Sequence, residues 1–205
     1  MKIIRSAPWT TTLGEAARDG DRARLRVAVG RSRSECKSNR YLIYQYTKSL
    51  SIAAELGKLG VVVELIAAGA NLDGIPYASP PLQSAARNGH ARCVAALVRA
   101  GADASLVDDR LHAASVPAVD CAVRHDRRRV LPILLRAGAS VVTSSAAPGT
   151  RTREFLDAVE RAGGFDAYCA KHAQFWSALV ARWLPAVPAD LAPTVVAFWL
   201  PRGGS

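Results

Sequence analysis

The chain has a single methionine, four cysteines, four histidines and only 6% aromatic residues, and each scarcity removes a class of protein. Cys36, Cys93, Cys121 and Cys169 lie far apart, with no Cys-x-x-Cys pair. Neither a disulfide framework nor a structural zinc site is indicated, and reduced, mostly buried thiols are expected. His90, His112, His125 and His172 fall at no metal-ligand spacing. No run approaches the roughly 18 uninterrupted apolar residues of a membrane span. The opening MKIIRSAPW is too short and too quickly polar for a secretory signal. An intracellular protein, cytoplasmic or nuclear and without a transmembrane segment, is the expectation. Convergent catalytic groups are missing as well: RAGG and PRGGS lack the strand-loop-helix setting of a phosphate cradle, and Asp108-Asp109 reads as a solvated loop pair. No enzyme, metal or cofactor is expected.

What the chain has in quantity is apolar residues, half of its 205, which suffice for one large or two small domains. It also carries a formal charge of +10, unevenly placed. Residues 1–48 hold 11 Lys/Arg against 4 Asp/Glu, whereas residues 49–110 hold 5 against 6. A basic segment attracts acidic proteins, nucleic acid or anionic lipid without choosing among them. Electrostatic binding of nucleic acid or an anionic membrane by the N-terminal region is therefore an alternative function. Arg127-Arg128-Arg129, the only dense basic triplet, reads as a solvated helix start rather than a phosphate-binding patch.

Three stretches end alike: LIAAGANLDG (65–74), LVRAGADASL (97–106) and LLRAGASVVT (134–143). Twelve residues before Gly69, Gly101 and Gly138 stand Gly57, Gly89 and Asp126. A fourth copy of the frame, LGEAARDGDRARLRVAV, turns at Gly20, so the turn positions are spaced by 37, 32 and 37 residues. Ala53, Ala54, Ala85 and Ala86 allow close helix approach, while Leu65, Ile66, Leu97, Val98, Leu134 and Leu135 suit a seam between units. Each recurring Gly suits a helix that must stop in the left-handed conformation.

This frame resembles the ankyrin repeat, a unit of about 33 residues made of two antiparallel helices and a β-turn loop. The third unit is closest, with Pro81, Leu82, Ala85, Ala86, Gly89, His90, Val94, Leu97, Gly101 and Ala102 in place. It departs from the family where the opening Thr is Pro80 or Pro117 and where the fourth-position His is Ser51, Gln83 or Asp120. The resemblance implies an all-α, ankyrin-like solenoid of stacked helix-turn-helix repeats over residues 11–145, after a tail at 1–10. An insertion is expected at about 30–47, and Pro132 should kink or shorten the last second helix. Thr12 and Glu15 are read as a capping box opening the first helix.

The resemblance further implies a non-catalytic module that binds a protein partner through loop tips and the exposed side of each first helix. The candidate contacts are Asp73 and Tyr77 in one loop, Asp108 and Arg110 in the next, and Gln83, Arg87, Asn88, Arg124 and His125 on the helices. Beyond a linker at 146–153, residues 154–205 read as a C-terminal helical cap or docking segment. Three helices are expected there, divided by Gly163-Gly164 and by Pro185 to Pro188. The third, with Val195, Val196, Phe198, Trp199 and Leu200, is strongly apolar. This tail faintly resembles the SOCS box, without its Leu-Cys motif, so a role as ubiquitin-ligase substrate adaptor is a further alternative.

Overall fold

The structure, a computed structural model, describes residues 8–36, 38–75, 79–106, 116–139 and 150–183, without the side chains of 8–9 and 175–183. The chain forms two compact units, Met1–Val141 and Val142–Ser205. All regular structure among the described residues is helical. In the first unit α1 (Pro8–Asp19) pairs with α2 (Arg22–Glu35), α3 (Asn39–Glu55) with α4 (Leu59–Ala67), α5 (Pro81–Asn88) with α6 (Ala91–Arg99), and α7 (Ala118–Arg124) with α8 (Leu131–Arg136). First helices pack on first helices and second helices on second, so the pairs lie in consecutive layers.

The register repeats atom by atom. At the turn inside each pair, the backbone N–H one residue past the turn position donates to an alanine carbonyl: Asp21 to Ala16, Lys58 to Ala53, His90 to Ala85 and Arg127 to Ala122, at 2.7 to 3.0 Å. These alanines are fully buried. At the end of the second helices the same bond runs from Ala70 to Leu65, Ala102 to Leu97 and Ala139 to Leu134, at 3.0 to 3.1 Å, and the three leucines are again fully buried. Such a six-residue closure satisfies carbonyls that a helix end leaves orphaned, and it needs a left-handed residue one step before the donor. Gly20, Gly57, Gly69, Gly89, Gly101 and Gly138 supply it, with φ between 70° and 95°, and Asp126 supplies it at φ 53°.

In the turns inside the pairs, space is a second constraint. A Cβ on Gly57 would stand 2.5 Å from His90 Nδ1. On Gly89 it would stand 2.8 Å from Arg127 Cδ, and on Gly20 2.9 Å from Lys58 Cδ. Each layer thus rests the side chain that follows its own turn on the turn of the layer before. His90 Nε2 bonds the Glu55 carbonyl at 2.9 Å, and Arg127 Nε donates to the Arg87 carbonyl at 3.0 Å. Asp126 is tolerated because it turns the last pair of this unit, and no later pair of the unit needs that space.

Several expectations are corrected. Helix α1 already begins at Pro8, inside the stretch read as a tail, so Thr12 sits within the helix and opens nothing. Proline at a first helical position loses no bond and presets φ. The insertion expected at 30–47 is helix rather than loop: α2 runs on to Glu35 and α3 starts at Asn39. Its aromatic half supplies core, because Leu42, Tyr46 and Leu50 recur every four residues and are buried. Tyr46 OH meets Ser32 Oγ at 2.6 Å in the interior, tying α3 to α2. Of the seam residues, Leu65, Leu97 and Leu134 are fully buried, whereas Ile66, Val98 and Leu135 are only partly covered. Pro132 shortens α8 to six residues by standing in its first turn, where a missing N–H costs nothing.

In the second unit Thr150 Oγ1 accepts the Arg153 N–H and caps α9 (Arg151–Arg161), which takes over the last residues of the expected linker. Gly163 and Gly164, both at positive φ, separate it from α10 (Phe165–Trp183). The Phe155 ring meets Tyr168 edge-on at 5.5 Å. The third expected helix and the Pro185 to Pro188 turn lie outside the described residues.

Gly57→Ala is expected to cost about 2–3 kcal/mol, the left-handed penalty plus displacement of the His90 ring, against about 1–2 kcal/mol for Gly101→Ala, where only the penalty applies. Nothing lies within 4 Å of a Cβ built on Gly101. Urea denaturation measures both, and adding His90→Ala to Gly57→Ala should recover part of the excess. Equal losses at the two glycines would refute the spatial constraint.

Candidate functional site

The residues expected to bind a partner are distributed unevenly by this register. Asp73 is exposed in the loop after α4, its backbone N–H held by Asn71 Oδ1 at 3.1 Å. Arg87 and Arg124 are exposed and occupy equivalent places, each two residues before the turn of its layer. Asn88, half-buried, donates to the Ser84 carbonyl at 3.0 Å, and His125 is exposed at the end of α7. Tyr77, Asp108 and Arg110 lie outside the described residues. Gln83 is a correction: only 4% exposed, it donates from Nε2 to the Leu106 carbonyl at 3.0 Å and holds the next loop. It is a strut rather than a contact residue.

The same side of the layers has contributors that the sequence frame passed over. Between α3 and α5 lies a cleft of about 340 Å³. Helix α3 lines it with Lys48, Ser51, Ile52 and Glu55, α5 with Ser84, Arg87 and Asn88, and the intervening loop with Ile75 and Ser79. Glu55 holds the register of Arg87 and Arg124, two residues before Gly57. The polar and then aromatic stretch ahead of it masks that equivalence in the sequence.

Asp120 stands at the register of Gln83 and is nearly as buried, but among the described residues its Oδ1 has no hydrogen-bond partner. A carboxylate cannot donate to a loop carbonyl as the Gln83 amide does unless it is protonated. Burial pushes its pKa up, opposed by the Arg124 charge. The two buried thiols are unpromising nucleophiles. Burial raises Cys93 to about 11, and Cys121 is also raised by burial, against the lowering influence of Arg87 and Arg124.

Four arginines of the basic N-terminal quarter are engaged within the first unit. Arg22 and Arg26 both bond the Glu64 carboxylate, at 2.8 and 3.0 Å, and together join α2 to α4. Arg24 pairs with Asp19 and Asp21, and Arg33 donates to the Ala68 carbonyl. Arg26, and then Arg22, hold the Glu64 carboxyl down at about 2. Of the triplet, Arg127 is committed to the turn of the preceding layer.

The first unit is thus a layered stack of helix pairs, closed by repeated left-handed turns and carrying an open cleft on its first-helix side. Residues 79–109, the α5–α6 pair with its flanks, match the ankyrin repeat. The stack is of the ankyrin type. Comparison with curated proteins gives no match. Ankyrin repeats mediate protein–protein interaction and are typically non-catalytic. Among the described residues no group of His, Cys, Asp and Glu is placed to hold a metal, and no helix is long and apolar enough to cross a membrane.

Glu64 and Asp120 respond to pH with opposite sign. A carboxyl held low contributes stability that is present above its ordinary value and lost as pH falls from about 4.5 toward about 2. The midpoint of thermal unfolding should therefore drop less steeply across that window in Glu64→Gln than in the native chain. Parallel curves would mean the two arginines do not hold Glu64. For Asp120, a raised pKa favours the folded state at low pH and costs stability as pH rises through the carboxyl range. Asp120→Asn should melt higher than the native chain at pH 7, with the gap closing toward pH 3. A lower melting point at pH 7 would show that the ionised carboxylate is needed.

Proposed function

We propose that the chain is a non-catalytic module that captures a protein partner on the first-helix and loop side of its ankyrin stack. Asp73, Arg87, Asn88, Arg124 and His125, with the cleft residues of α3, form the contact surface. The cleft between α3 and α5 is the observation that carries this reading. It joins a partly apolar lining, Ile52 and Ile75, to a polar and charged rim, the combination that protein interfaces use for an anchor and its surround. Seven of its nine lining side chains stand on α3 and α5, so binding needs little ordering of those. Ion pairs of Arg22, Arg24 and Arg26 within the first unit leave fewer N-terminal cations for the alternative, electrostatic binding of nucleic acid or membrane. The apolar segment on which the ubiquitin-ligase adaptor reading rests lies outside the described residues.

A photo-crosslinking amino acid placed at Arg87 or Arg124 should give partner adducts in cells. The same group at Val27, an exposed residue of a second helix, should give none. Adducts from Val27 alone would move the interface to the opposite helices and end this assignment.

A further inference from the structure

The cations beside the cleft differ from Arg22, Arg24 and Arg26 of α2, which are held in ion pairs. Arg22 and Arg26 on α2 share one carboxylate, and Arg24 has two. None of the ion pairs among the described residues uses Lys48, Arg87 or Arg124. Arg87 lines the cleft, and Arg124 stands one layer on at the same register, both exposed. An exposed guanidinium suits a carboxylate, which it binds with paired, charge-assisted bonds. At the other side of the cleft Lys48 offers a third cation, while Ile52 and Ile75 supply apolar lining. A space of about 340 Å³ is at the small end for a ligand site, enough for one bulky side chain. The single carboxylate of the lining, Glu55, repels acid from its own end and so fixes direction.

We propose that the cleft takes a short acidic segment of a protein partner, one large apolar side chain entering between Ile52 and Ile75 while the carboxylates beside it run from Lys48 toward Arg87 and Arg124. This rests on the partner-binding reading above and adds the chemistry of the partner. Cations that take part in no ion pair among the described residues, set beside a small apolar opening, form an electrostatic complement to an acidic peptide.

The test is panning of a phage-displayed random dodecamer library against the full chain. Fluorescence anisotropy then follows each enriched peptide and its Asn/Gln isostere. Enriched peptides should carry two or more Asp or Glu beside an aromatic, Leu or Ile residue, and bind about tenfold tighter than their isosteres. Arg87→Gln with Arg124→Gln should abolish that difference, and added salt should narrow it. Ser51→Tyr, which fills the cleft, should weaken every peptide, with Ile52→Gln as a second cleft variant and thermal melts confirming that all variants fold. Neutral or basic winners still blocked by Ser51→Tyr would overturn the acidic preference and leave the cleft as the binding site. No enrichment, or winners indifferent to both cleft variants, would overturn both. Displacement of acidic peptides by a single-stranded DNA oligonucleotide that itself binds more tightly would make the anionic ligand a nucleic acid and reject the proposal.

Discussion

The contact on which the stack depends is the resting of one layer's turn side chain on the backbone of the turn before it. Lys58 over Gly20, His90 over Gly57 and Arg127 over Gly89 repeat a single arrangement. It asks three things of the sequence at once: a left-handed residue, no Cβ, and in the next layer a long or ring side chain. His90 and Arg127 add a hydrogen bond to a carbonyl two residues before the glycine they cover. The layers are therefore coupled by polar bonds at the turns as well as by the buried leucine seam. Because each layer contacts its neighbours, stability is a sum of local terms, and an irregular layer is tolerated if its turn keeps this contact.

That coupling sorts the charged residues. Arg22 and Arg26 of the second helix α2 face the neighbouring layer's second helix, reach Glu64 of α4 and are consumed in holding the stack. On the first helices the equivalent places two residues before the turn point outward, where Glu55, Arg87 and Arg124 stand. Net charge alone does not distinguish these roles. The sequence concentrates its positive charge at the N-terminus, and the fold holds three of those arginines, Arg22, Arg24 and Arg26, in internal ion pairs.

Much of the fold is legible in the sequence because a left-handed turn leaves a plain mark. Glycines at 57, 69, 89, 101 and 138, each preceded at four residues by an Ala or Leu that proves to be buried, stand out by spacing alone. Asp126 is legible by register despite its type. What misleads is local composition: the polar RSRSECKSNR and the aromatic YLIYQYT read as an insertion between helices, although the four-residue spacing of Leu42, Tyr46 and Leu50 already satisfies a helix face. At the candidate site the frame names Arg87, Arg124 and His125, which are exposed, and Asn88, which is half-buried. It misjudges Gln83, because a polar residue on a first helix is taken for surface unless its hydrogen-bond partner is known, and that partner is a carbonyl 23 residues away. Sequence spacing carries no sign of such a bond.

The register six residues before the turn shows how the same place serves different ends. Gln83 commits its amide to the next loop, Ser51 donates to the Thr47 carbonyl of its own helix, and Asp120 buries an oxygen that has no hydrogen-bond partner among the described residues. Ser51 is the smallest of the three and makes only a local bond, and it is this layer that opens onto the cleft. A side chain of Gln83's length there would occupy the space that Ser51 leaves. In the first pair the same register is Gly14, with nothing within 4 Å of a Cβ built there, so short residues leave this column unfilled in the first two layers while Gln83 and Asp120 fill it in the next two.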